Sequence, residues 1–83
     1  MFAAQKSDLA SWLASGSEKG ATHMIVVVDG WDHEDYPVYV MPGENVREVA
    51  DKYDGKEMQR IMEVYDLSID HEQQLSQHRA MNF

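Results

Sequence analysis

The run His-Met-Ile-Val-Val-Val-Asp at residues 23–29 limits the fold more than any other stretch of the chain. Ile25 and the three valines after it are β-branched, which restricts χ1 and favours an extended backbone. Side chains along a strand alternate between two faces. An uninterrupted apolar run therefore gives a strand that is apolar on both faces, and such a strand lies in the middle of a sheet covered on both sides. The chain has 83 residues, enough for one domain, 1–83, that buries about 60–65% of its unfolded surface. Hydrophobic residues make up 43% and charged residues 27%, a balance that suits a globular protein and not a disordered one.

A central strand needs two neighbours. Residues 36–41, "YPVYVM", supply the first. Pro37 lacks an amide hydrogen, so this strand belongs at an edge or carries its proline at the strand start. The second neighbour is harder to read. In "KEMQRIMEVYDLS", Met58, Ile61, Met62 and Tyr65 match a helical stripe, whereas Ile61, Glu63, Tyr65 and Leu67 alternate with Met62 and Val64. A lone hairpin is marginal, so residues 59–67 are expected to form the third strand.

Helical signals surround these strands. "SDLASWLA", 7–14, places Leu9, Trp12 and Leu13 on one face, with Ser7 able to cap and Gly16 to stop the helix. This gives an N-terminal helix over 1–15, a flexible connector over 16–22 and an α+β core over 23–83. Asn45 and Glu48 have capping-box spacing, Val46, Val49, Ala50 and Tyr53 make a buried stripe, and Gly55 ends that helix. "SIDHEQQLSQHRA" reads as a terminal helix capped by Ser68 or Asp70, with Leu75 inward and Arg79 near its end. The predicted fold is α+β: a three-stranded, mainly antiparallel sheet in the order 2-1-3, with elements in the order α-β-β-α-β-α. A crossover from the second strand to the third puts "MIVVV" in the centre. Because helices are available for only part of the two faces, a homodimer is expected to cover the remainder.

From residue 21 onward the chain resembles a group of short proteins encoded by phages and bacteria. The likeness lies in "THMIVV", "EDYPVYV", "REVADKYDGK" and "MEVYDLS" and extends over about three-quarters of the chain. The resemblance implies a cytosolic, phage-borne accessory protein. It transfers no catalytic residue.

The bulk chemistry excludes several function classes. There is no cysteine, hence no disulfide framework and no thiolate metal site. "MIVVV" is the longest apolar run, far short of a membrane span, and the N-terminal stretch lacks the pattern of a signal peptide. A cytoplasmic location follows as an expectation. Net charge is −8, from 15 acidic and 7 basic residues. That opposes direct nucleic-acid binding and suits a basic protein partner.

"DGWDHEDYP", 29–37, concentrates Asp29, Asp32, Glu34, Asp35 and His33 around Trp31. Its acids miss the EF-hand register, in which glycine stands sixth. "HEQQL" at 71–75 has Leu75 where the zinc-protease motif needs its second histidine. His71 and His78, on one helix, would stand roughly 10.5 Å apart along its axis, too far to share an ion. No metal, cofactor or catalytic residue is expected, since no nucleophile motif or phosphate loop is present.

Trp31, Asp32, Glu34, Asp35 and Tyr36 are the expected partner-binding residues: an aromatic anchor with an acidic rim. The bland alternative folds the indole back over the hairpin. Tyr36 and Tyr39 point to opposite faces, one into the core and one outward, and Met24, Met41, Met58 and Met62 read as core filler. A second functional reading is an oligomeric sink for a nucleotide-type ligand, held by Arg47, Lys52 and Arg60. A third is nucleic-acid mimicry by surface carboxylates, weakened by the interleaved Arg47, Lys52, Lys56 and Arg60.

Overall fold

A computed structural model describes residues 5–31, 34–55, 58–77 and 79–83. Six elements follow in the expected order: α1 (Lys6–Lys19), β1 (His23–Asp29), β2 (Glu34–Val40), α2 (Val46–Tyr53), β3 (Gln59–Asp66) and α3 (His71–Leu75). The sheet order is β2-β1-β3, and both neighbours run antiparallel to β1. β2 and β3 are therefore parallel to each other, and α2 carries the chain across between them. The fold is α+β.

The all-apolar β1 is explained by what covers it. Ile25 and Val27 pack with Val40, Ile61 and Val64 beneath Val49 and Ala50 of α2. Met24 and Val26 turn the other way and pack with Tyr65 and Ala80 against Leu9 and Leu13 of α1. Each fully buried aliphatic side chain contributes about 1.5–3 kcal/mol, so two thin cores share one strand as their common wall. β1 meets β3 with a bulge: Val26 faces Glu63 and Val27 faces Ile61, which leaves Met62 as the extra residue.

The structure corrects the reading of the N-terminal third. α1 does not stop near residue 15, and residues 16–19 of the supposed flexible connector are helical. Gly16 continues the stripe of Leu9, Trp12 and Leu13, because a Cβ there would lie 2.8 Å from Leu67 Cδ1 and from Tyr39 Cε1. Its role is close approach, not termination. Gly20, at φ +79°, ends the helix instead. The N-cap is Gln5 and not Ser7, and the Asp8 carboxylate accepts from the Gln5 amide at 3.0 Å.

The C-terminal helix is corrected as well. Asp70 caps α3 as expected, accepting from the Glu72 amide at 3.0 Å, but α3 ends at Leu75. The chain then turns back along the outer edge of β3, where Met81 bridges Val64 in parallel. The Val64 amide donates to Ala80 O at 2.8 Å, and the Asn82 amide donates to Val64 O at 2.9 Å. Long-range backbone pairing thus overrides the local helical preference of this segment. Arg79 lies beyond the helix, and His78 lies outside the described residues.

The two tyrosines of β2 do face opposite sides, but neither is simply core or simply exposed. Both are half-buried: Tyr36 packs against the α2-side core and Tyr39 against the α1-side core. Of the four methionines expected inside, only Met24 is buried; Met41, Met58 and Met62 are exposed.

Candidate functional site

The β1–β2 connection begins where Asp29 ends the strand. The Asp29 carboxylate accepts from the Trp31 amide at 2.9 Å, an Asx-type contact that starts the turn without further backbone pairing. The Gly30 amide donates to Met58 O at 2.7 Å, tying this loop to the one that precedes β3. A Cβ on residue 30 would lie only 2.9 Å from that oxygen, so glycine is required by close approach. Met58 itself adopts φ +67°, a conformation that costs a non-glycine residue about 1–2 kcal/mol. Two loops are thereby fastened together at one end of the sheet.

On this base the Trp31 side chain stands 76% exposed. The indole does not fold back over the hairpin. Met58, across the Gly30 contact, is 62% exposed. Together they put an aromatic and a thioether at the same end of the molecule. Nothing in the sequence marks Met58 as exposed, since its spacing suits an apolar stripe; in the fold its backbone is left-handed and its carbonyl accepts from the Gly30 amide.

The other expected partner-binding residues divide. Glu34 is exposed at the start of β2, opposite Asp29. Asp35 and Tyr36 follow it on opposite faces of the strand and are half-buried. The Tyr36 hydroxyl accepts from Gln59 Nε2 at 2.7 Å. Burial first, then Tyr53 and Asp29 nearby, pushes its pKa above the usual phenol value, so the ring is anchored on the α2 side and stays protonated. Asp32 lies outside the described residues, as does His33. Trp31 and Glu34 are the expected side chains that the structure leaves open at the tip.

Arg47, Lys52 and Arg60 do not form one site. Arg47 and Lys52 are exposed on α2, and the Arg47 guanidinium lies 4.5 Å from the centroid of the Phe83 ring. Arg60 pairs with Val28 on β1, on the face that bears Met24 and Val26, and the sheet separates that face from α2.

At the opposite end of the sheet, His23 Nδ1 lies 3.0 Å from Thr22 Oγ1, and its Nε2 is 3.9 Å from Asp66. The Thr22 hydroxyl donates to Val40 O at 3.1 Å, so it meets the imidazole as an acceptor. The arrangement fixes the ring and does not activate the hydroxyl. Among the described residues, no group of three or more His, Asp or Glu side chains is placed to hold a metal ion, and no helix is long and apolar enough to cross a membrane. No protein-family model, curated protein or solved structure matches the chain.

Proposed function

We propose that this chain is a small, acidic, non-enzymatic binding protein that docks onto a basic protein partner in the cytosol through the β1–β2 tip. The observation that carries this is Trp31, exposed on a turn whose backbone is tied at residue 31 to the Asp29 carboxylate and at residue 30 to the Met58 carbonyl. Leaving an indole in water forgoes about 1.5–3 kcal/mol of burial, and an aromatic side chain with two χ angles loses little entropy on binding. Carboxylates at Asp29 and Glu34 give the rim a sign that suits Arg or Lys on the partner. In keeping with the resemblance to phage-encoded proteins, we take the role to be that of an accessory or anti-defence factor that binds and inhibits a host protein.

The test is affinity capture from host lysate with wild-type protein and Trp31→Ala, read by mass spectrometry and thermal denaturation. Loss of an anchor of this kind costs about 2–4 kcal/mol of binding, enough to remove the partner from the eluate. An exposed substitution changes stability by about 0.5 kcal/mol or less, so the thermal midpoint should stay within a few degrees. Equal capture by the variant would exclude the tip as the docking surface.

A further inference from the structure

The bulge in β3 sets up a second site, away from the tryptophan. Arg79 reaches back from the C-terminal segment to Met62 O through Nε (2.8 Å) and to Ile61 O through Nη2 (3.1 Å). These are the two successive carbonyls of the bulge. The side-on fork of the guanidinium is consumed by them, and its end-on pair of N–H groups is left in a fixed direction. Arg60 lies on the same wall. With Val28, Ile61, Met62 and Arg79 it lines a shallow cavity of about 320 Å³.

Charge makes this concavity unusual. The chain has 15 acidic and only 7 basic residues, yet among the described residues neither Arg60 nor Arg79 lies within ion-pair distance of a carboxylate. Glu63, the nearest acid along β3, places its carboxylate 3.4 Å from the Ala80 amide. Asp35 belongs to the same cross-strand row as Val28 and Arg60, beyond Val28. We infer that the concavity between Arg60 and Arg79 binds a small organic oxyanion, a carboxylate or phosphate carried on an apolar body. The anion meets the free end-on edge of Arg79 and the exposed Arg60, while Val28 and Met62 receive the apolar part. A guanidinium already held by two carbonyls loses little freedom when it takes up a bidentate oxyanion.

Titration of 15N-labelled protein with phenyl phosphate, phenylacetate and inorganic phosphate, following the arginine Nε–Hε signals, tests this. Saturable shifts at Arg79 and Arg60 are expected with at least one phenyl ligand, which also tells phosphate from carboxylate. Inorganic phosphate should bind about tenfold more weakly than the better phenyl ligand, through loss of the apolar contact. Arg60→Gln leaves Arg79 and the bulge intact and should weaken binding about tenfold, with an unchanged thermal midpoint. No saturable shift with either phenyl ligand, equal affinity for inorganic phosphate, or an Arg60→Gln variant that binds like wild type would each overturn the assignment.

Discussion

Gly16 shows how one residue joins elements that are distant in sequence. Replacing it with alanine should help the helix by about 1 kcal/mol, since glycine is a poor helix former. The added Cβ, however, would meet Leu67 and Tyr39 at 2.8 Å. Leu67 can rotate its methyl away, but the Tyr39 ring is pinned, its hydroxyl donating to Trp12 O at 2.8 Å. Overpacking of this kind costs about 1–3 kcal/mol, so the clash should win. Gly16→Ala is expected to lower the thermal midpoint by about 5 °C. In a Tyr39→Phe background the ring is released and the penalty should shrink, a coupling that a double-mutant cycle measures. A higher midpoint for Gly16→Ala alone would show that the contact yields. The stripe Leu9, Trp12, Leu13 was legible in the sequence; that Gly16 continued the stripe and did not end the helix was not, because its reason lies on β2 and beyond β3. Gln74 is a similar case. At 1% exposure it donates to Asp66 O and Asp70 O and accepts from the Asp66 amide and Asn82 Nδ2. No local pattern distinguishes it from Gln73.

At the scale of elements, the passage from β3 to α3 is held by polar groups more than by packing. Asp66 accepts from the Ser68 hydroxyl at 2.6 Å and from its amide at 2.9 Å. The hydroxyl bond is the largest influence on Asp66 and lowers its pKa; burial opposes this, and the Ser68 amide and His23 reinforce it. A carboxylate whose folded pKa lies below its unfolded value of about 3.9 stabilises the fold above that pH. The contribution is lost as pH falls through the folded value. Ser68→Ala removes the dominant bond, so the Asp66 pKa should rise towards the ordinary range, and acid unfolding should begin at higher pH. Carboxyl 13C titration and acid denaturation read the two effects, and an unmoved Asp66 titration would contradict the assignment. Element identity was legible here through the need of β1 for a second neighbour, which decided between the alternation of Ile61–Leu67 and the helical spacing of Met58, Ile61, Met62 and Tyr65. The length of α3 was not, because residues 79–82 pair with Val64 across the fold, and helical propensity carries no trace of that pairing.

For the whole molecule, the two edges of the sheet are treated differently. The outer edge of β3 is occupied by the chain itself, through Ala80, Met81 and Asn82 around Val64. Among the described residues β2 has no such cover: the sheet order is β2-β1-β3, and β2 runs for seven residues. An uncovered edge invites pairing with a second copy, and proteins oppose it with proline and charge. β2 carries both, Pro37 at its middle and Glu34 and Asp35 at its start. α1 and α2 each cover one face of β1, so among the described residues the β2 edge is the row of strand backbone that a second copy would meet. Pro37→Thr supplies an amide hydrogen and a residue that favours strands, and it should raise self-association above that of the wild type. Sedimentation equilibrium across a concentration series measures this, with salt as a second variable because Glu34 and Asp35 repel their counterparts in a paired edge. If Pro37→Thr and wild type sediment alike at every concentration, the edge is guarded by its acids, and neutralising Glu34 in the same background is then the change expected to release it.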